Sequence, residues 1–264
     1  KYNQPTGSVT GGDTHAAADI ICYMNGYNDP RRAKYFIKSE FDGIDYVGIR
    51  IGIEKPSLNS VGRKYSGVNV TTEDPLVWMN AAEVAFLKAE AKAVFGFNMG
   101  AGSAEDFYNE GIRLSFEQFG LSGYADYAAD DVNKPATYAD PAGLNSYSGV
   151  LSSLTVKWDE AATTAQKQER IMIQKWIANF NNGIEAWSDH RRTGYPKFFP
   201  ATDAGNKSGG SVTNEHGARR MVYPLAEYSN NGENVNEAVA SCLGGPDKMG
   251  TRLWWDCNPA VVIK

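Results

Sequence analysis

Residues 170–196 read RIMIQKWIANFNNGIEAWSDHRRTGYP, and the stretch changes character halfway. Ile173, Trp176, Ile177 and Phe180 recur at i, i+3, i+4 and i+7, one apolar stripe on a helix, while Arg170, Gln174, Lys175 and Asn179 fall elsewhere on the cylinder. Asn181, Asn182 and Gly183 stop that helix, because Asn and Gly tolerate the left-handed conformation that ends one. Trp187, His190, Arg191, Arg192 and Tyr195 then crowd together, which marks either a site or a buried polar strut. The two arginines suit bidentate pairing with a carboxylate, and His190 suits hydrogen bonding between neighbouring elements, so the strut reading is preferred.

The same helical period recurs upstream. Ala17, Ile20, Ile21 and Met24 predict a helix over 16–27, ended by Gly26 and Asn28-Asp29-Pro30. Val84, Leu87, Ala91, Val94 and Phe95 form a stripe along 79–95, with Asp74-Pro75 opening the element. Ser103 with Asp106 makes a capping box for a following helix that aligns Tyr108, Ile112, Ser115, Phe116 and Phe119. Joined by a loop over 96–102, the two make an antiparallel hairpin. Ala104, Tyr108 and Gly111 follow the small-aromatic-small spacing by which tetratricopeptide helices approach closely.

Between the first helix and the hairpin, residues 32–69 break into short apolar stretches, among them 58–61. Over 46–53, Tyr46, Gly48, Arg50 and Gly52 alternate with Val47, Ile49, Ile51 and Ile53, a period of two that predicts a short strand. Residues 1–14 read as an irregular lead-in, 121–160 as a polar surface excursion and 201–217 as a flexible loop. The tail brings a helix around 234–241 and Trp254-Trp255, which reads as a clasp against the body.

Composition removes several functions. A net charge of −5 leaves no basic face to neutralise phosphates, so no nucleic-acid partner is expected. Cys22, Cys242 and Cys257 form no CxxC pair and no zinc spacing, so no metal is assigned; a Cys242–Cys257 disulfide stays open in an oxidising compartment. No apolar run reaches the ~18 residues of a membrane span. The chain starts at Lys1 without Met or an export signal, which suggests a mature or truncated product. The motifs H-E-x-x-H, G-x-S-x-G and the P-loop are absent, and Gly100-Ala101-Gly102 has Glu105 where a dinucleotide site needs Gly. No catalytic residue and no cofactor is therefore assigned. Glu83, Glu90, Glu185 and Asp189 read as polar contacts between helices rather than as a glycosidase pair.

Sugar recognition needs a flat aromatic ring beside groups that bond hydroxyls. Tyr46 with Asp45 and Arg50, and Tyr65 with Lys64 and Asn69, supply that combination in the loop-rich part. Tyr46, Tyr65, Asp45 and Arg50 are the candidate ligand-binding residues.

Several blocks, taken in order, carry a resemblance. GYNDPRRAKYF (26–36), WMNAAEVAFLKAEAKA (78–93), FYNEGIRLSFEQFG (107–120), QKWIANFNNGIEAWSDHRRTGYPKFFP (174–200), ARRMVYPLAEYSNNGENVNEAV (218–239) and GTRLWWD (250–256) resemble the carboxy-terminal half of the SusD/RagB-type outer-membrane nutrient-binding lipoproteins of Bacteroidetes. The resemblance implies a mainly α fold, with tetratricopeptide-like helix pairs packed with a loop-rich irregular part containing short strands. It implies one domain over 1–264: a loop-rich ligand-binding part over 1–75, a helical core over 76–200 and an irregular tail over 201–264. It makes residues 183–196 the internal strut. It also implies a non-catalytic protein at the outer membrane, facing outward, lipid-anchored through an N-terminal segment missing here, that binds a glycan and delivers it to a SusC-like TonB-dependent transporter. Cys22, inside a helix, is not the lipidated cysteine. The alternative, from Ala104, Tyr108 and Gly111, is a helical-repeat scaffold that recognises a protein, or a peptide-binding uptake component.

Overall fold

A computed structural model describes residues 14–54, 64–215 and 217–257. The expected lead-in over 1–13 and the apolar stretch at 58–61 lie outside them. Among the described residues eight helices occur: α1 (Ala18–Gly26), α2 (Arg32–Tyr35), α3 (Ala81–Ala93), α4 (Ala104–Gln118), α5 (Tyr124–Ala128), α6 (Thr164–Ala178), α7 (Gly183–Thr193) and α8 (Leu225–Ser241). The chain divides into two compact units, the first drawn from 1–51, 55–187 and 195–199 and the second from 52–54, 188–194 and 200–264.

In the first unit α3 and α4 form the expected hairpin and α6 packs on both. Local chemistry starts each helix. Asn80 accepts from the Glu83 N–H at 2.7 Å, and Ser103 with Asp106 and Thr163 with Gln166 complete reciprocal capping boxes. The face α3 buries is not the expected stripe. Ala82, Ala85, Phe86 and Ala89 turn inward, whereas Val84, Leu87 and Phe95 are exposed. Small residues decide this, because they let α4 come close: a Cβ on Gly111 would lie 2.7 Å from the Phe86 ring.

α6 is buried on almost every side, including the polar residues that lie off its apolar stripe. Each finds a partner inside. Lys175 Nζ lies 3.3 Å from Glu83, which also accepts from Asn179 Nδ2 at 2.9 Å. Gln168 donates to Glu90 at 2.9 Å, and Ser152 donates to Glu169 at 2.7 Å. Glu83 and Glu90 are thus contacts between helices, as expected.

The centre of this unit is a buried charge. Arg31 is fully enclosed and donates to Asp29 from Nε at 2.9 Å and from Nη2 at 2.5 Å. Its remaining donors reach Ser115 Oγ at 2.9 Å on α4, Gln174 Oε1 at 2.9 Å on α6 and Tyr127 Oη at 3.2 Å on α5. The guanidinium lies against both the Phe116 and Tyr127 rings, 5.1 and 5.3 Å from their centroids. Burial pulls its pKa down, but the Asp29 carboxylate outweighs this and the pKa is raised.

The expected strut over 183–196 is half-buried rather than enclosed as Arg31 is. Asn181 does adopt φ 72°, ending α6, but the chain then resumes as α7, in which Thr193 alone is buried and Ile184 and Trp187 are exposed. The predicted strand over 46–53 is likewise reduced. Among the described residues extended chain makes only isolated bridges, Ala17 with Ile49 and His15 with Gly67 among them. Gly48 lies so close to α1 that a Cβ would meet the Ala17 carbonyl carbon at 2.4 Å, so the segment packs on the start of the helix instead of beside a second strand.

In the second unit α8 begins earlier than the helix expected around 234–241 and has a non-helical residue at Asn231. Its scaffold is ionic. Arg219 grips Asp256 at 2.5 and 2.6 Å, and Asp247 pairs with Arg220 and accepts from Tyr228 Oη at 2.8 Å. Arg191 donates to the Arg219 carbonyl at 3.1 Å and covers the Trp255 ring at 4.7 Å. Trp254 is 83 % exposed, so the clasp is the Arg219–Asp256 pair rather than the tryptophans. Cys242 and Cys257 are unpaired; Cys22 is buried, and burial with Asp19 nearby pushes its thiol up to about 12.

Candidate functional site

The loop-rich face of the first unit is assembled from segments too short to be regular, each tied down by a specific bond. Lys38 and Asp45, both exposed, pair at 2.9 Å. Ser39 and Glu40 donate their backbone N–H groups to the Asp45 and Lys64 carbonyls at 2.8 and 2.7 Å, which closes the loop on itself.

The four candidate residues are not equivalent here. Asp45 alone is exposed. Tyr46 is buried, its ring covered by the Arg32 guanidinium at 4.7 Å and its carbonyl accepting from Asn25 Nδ2 at 3.0 Å. Tyr65 is buried too; its hydroxyl donates to Asp140 at 2.5 Å and its ring meets Phe41 edge-on at 5.1 Å. Burial and the Asp140 carboxylate push the Tyr65 hydroxyl pKa up. Arg50, also buried, donates to the Asn145 carbonyl at 3.3 Å and lies 5.0 Å over the Tyr147 ring. Neither expected tyrosine offers a free face to a sugar. Lys64 sits 5.7 Å over Phe41, and Asn69 donates to the Lys34 carbonyl at 3.1 Å.

Tyr65 and Arg50 instead converge on a loop over 138–149, which sequence reasoning passed over as a surface excursion. Tyr138 and Tyr147 bridge its base. Asp140 gathers the N–H groups of Ala142, Leu144 and Asn145 at 3.1, 3.2 and 2.9 Å, while its own N–H donates to Ser146 Oγ at 2.9 Å. Asp140-Pro141 and Asn145-Ser146 are the turn formers that could have flagged it. Tyr147, packed against Arg50, is half-buried, as is Phe41 on the same face.

Behind the loop, Tyr138 and Tyr147 pack on Phe199 with centroids 5.6 and 5.3 Å away, and the Phe199 N–H donates to Asp19 at 2.6 Å. Burial raises the Asp19 carboxyl to about 6, against the opposing pull of the Phe199 N–H and the Arg50 charge. Its proton is held more tightly in the fold than in the unfolded chain. Stability from this group is therefore greatest below about pH 4, falls as pH rises to about 6, and is level above; the full loss is about 3 kcal/mol. Asp19→Asn should flatten that slope, as read by urea unfolding at pH 4.5, 6 and 7.5; an unchanged slope would place the titration elsewhere.

Among the described residues no group of three or more His, Cys, Asp or Glu side chains is arranged to hold a metal ion. No helix of these residues is long and apolar enough to cross a membrane.

The model of the SusD-like family, described as Susd and RagB outer membrane lipoprotein, matches residues 2–256. A SusD homologue from Bacteroides uniformis is 59% identical with a TM-score of 0.90, the match covering 95% of this chain and 51% of that one. A homologue from Bacteroides thetaiotaomicron is 46% identical with a TM-score of 0.82, covering 92% and 52%. A chitin-binding SusD homologue from Flavobacterium johnsoniae is 45% identical with a TM-score of 0.82, covering 92% and 50%. The chain thus spans about half the length of these solved relatives. No match was found among curated proteins.

Proposed function

The chain belongs to the SusD-like family of outer membrane lipoproteins, and from that membership we propose that it is a non-catalytic glycan-binding protein of the outer cell surface. In this reading it is lipid-anchored and passes oligosaccharide to a SusC-like TonB-dependent transporter. One observation carries the proposal: the 45% identity, over 92% of the chain, with a homologue described as chitin-binding. The loop-rich face supports it chemically. Asp45 and Lys38 present charged groups to hydroxyls, and Tyr147 supplies an aromatic edge held in place by Arg50. Tyr46, Tyr65 and Arg50 then act from beneath, fixing the loops that carry the contacts.

Calorimetry of the protein against a polysaccharide panel that includes N-acetylglucosamine oligomers tests this. Binding to at least one glycan is expected. Asp45→Ala should weaken it roughly fivefold, the loss of one net hydrogen bond of about 1 kcal/mol, and Tyr147→Ala by about tenfold. Unchanged affinity in both moves the site off this face.

A second reading rests on the α3–α4 hairpin, whose Gly111–Phe86 approach has tetratricopeptide character. In that reading the chain is a scaffold for a protein or peptide. Binding to peptides and to no glycan would favour it.

A further inference from the structure

We propose that Asn182 is a covalent modification site, at which the chain itself converts asparagine to aspartate and isoaspartate with water as the only co-reactant. The sequence holds three Asn-Gly pairs, Asn25-Gly26, Asn182-Gly183 and Asn231-Gly232. A glycine leaves its own nitrogen unhindered, so in each pair that nitrogen can attack the preceding side-chain amide when both groups are free. The fold separates the three.

At Asn25 both groups are held. Its Nδ2 donates to the Tyr46 carbonyl at 3.0 Å, its Oδ1 accepts from Arg32 at 2.6 Å, and Gly26 lies against backbone atoms of 134–136. At Asn231 the side chain accepts from Asn234 Nδ2 at 2.5 Å, and Gly232 lies inside α8. At Asn182 neither group is held. Among the described residues nothing hydrogen-bonds the half-buried Asn182 side chain, and nothing accepts the Gly183 N–H. Gly183 is the first residue of α7, where a helix leaves its amides without intrahelical partners. It is exposed, and a Cβ there would meet nothing within 4 Å.

The atoms balance with solvent alone. The Gly183 nitrogen gives its proton to hydroxide and bonds to the Asn182 Cγ. The Cγ–Nδ2 bond breaks, and the nitrogen leaves as ammonia after taking a proton from water, which restores the hydroxide and closes a five-membered imide. Water then opens that ring. Cleavage between nitrogen and Cγ leaves aspartate on an intact backbone, and cleavage at the former main-chain carbonyl carbon leaves isoaspartate, with the chain rerouted through Cβ and Cγ. Either product adds one negative charge at the start of α7, which the helix dipole favours. Isoaspartate also takes the carbonyl that receives the Ala186 N–H at 3.1 Å out of the main chain, so the first turn of α7 loosens.

The full chain, aged at pH 8.5 in heavy-oxygen water and mapped by peptide mass spectrometry, tests this, with enzymatic methylation reporting isoaspartate. In the folded protein Asn182 should take up label at least about tenfold faster than Asn25, whose groups react only when the fold opens locally, and also faster than Asn231. In urea the three rates should converge. Gly183→Ala should slow labelling at Asn182 at least about tenfold, because a methyl group then crowds the attacking nitrogen. Label absent from Asn182 in the folded protein, label appearing first at Asn25 or Asn231, or the same ranking in urea as in the fold would each overturn the proposal.

Discussion

Arg31→Ala should lower the stability of the chain by about 4 kcal/mol or more, because it leaves the Asp29 carboxylate buried without its counter-charge. Asp29 and Arg31 are both 0 % exposed, so water cannot take over. Ser115, Gln174 and Tyr127 would lose a donor at the same moment, and Phe116 and Tyr127 the guanidinium over their rings. Arg31→Lys should recover only part of the loss, since an ammonium cannot reach Asp29, Ser115 and Gln174 together. Urea unfolding followed by tryptophan fluorescence measures both. A loss below about 1 kcal/mol for Arg31→Ala, the size typical of an exposed pair, would mean that the cluster does not hold the helices.

Gly26→Ala sets two effects of opposite sign against each other. Gly26 is the last residue of α1 and has no positive φ, so helix propensity alone predicts a gain of up to ~1 kcal/mol. A Cβ there, however, would meet the Lys134 carbonyl oxygen at 2.1 Å and the Ala136 nitrogen at 2.4 Å. These are backbone atoms held by the Ala136 N–H bond to the Cys22 carbonyl at 2.9 Å, and they cannot rotate away. Overpacking should win, with a net loss of about 3 kcal/mol. Gly111→Ala, whose nearest neighbours are atoms of the Phe86 ring, should cost less because a side chain can shift. A Gly26→Ala protein as stable as the parent would show that 134–136 yields freely.

What the sequence disclosed follows from how local each signal is. The start of α4 was legible because its capping box lies within four residues of chain. The inward face of α3 was not, because Val84 and Leu87 are as apolar as the alanines that win; closeness to α4 decides, and that depends on Gly111. What the polar side of α6 faces was not legible, because its partners, Arg31, Glu83 and Ser152, come from other parts of the chain. The candidate site shows the same boundary. Composition identified the loop-rich part, but whether Tyr46 and Tyr65 are open depends on Arg32 and Asp140. The loop over 138–149 escaped notice because a hub made by one carboxylate has no periodicity.

That hub bears on how such a face can diverge. Asp140 fixes the loop through backbone N–H groups, which every residue except proline possesses, so the loop's shape does not depend on the side chains at 144 and 145. Leu144 and Ser148 point to solvent and can be exchanged without refolding the turn. A lineage could therefore alter what the loop presents while keeping the conformation that presents it, and libraries randomised at 144 and 148 with Asp140 retained should yield mostly folded proteins.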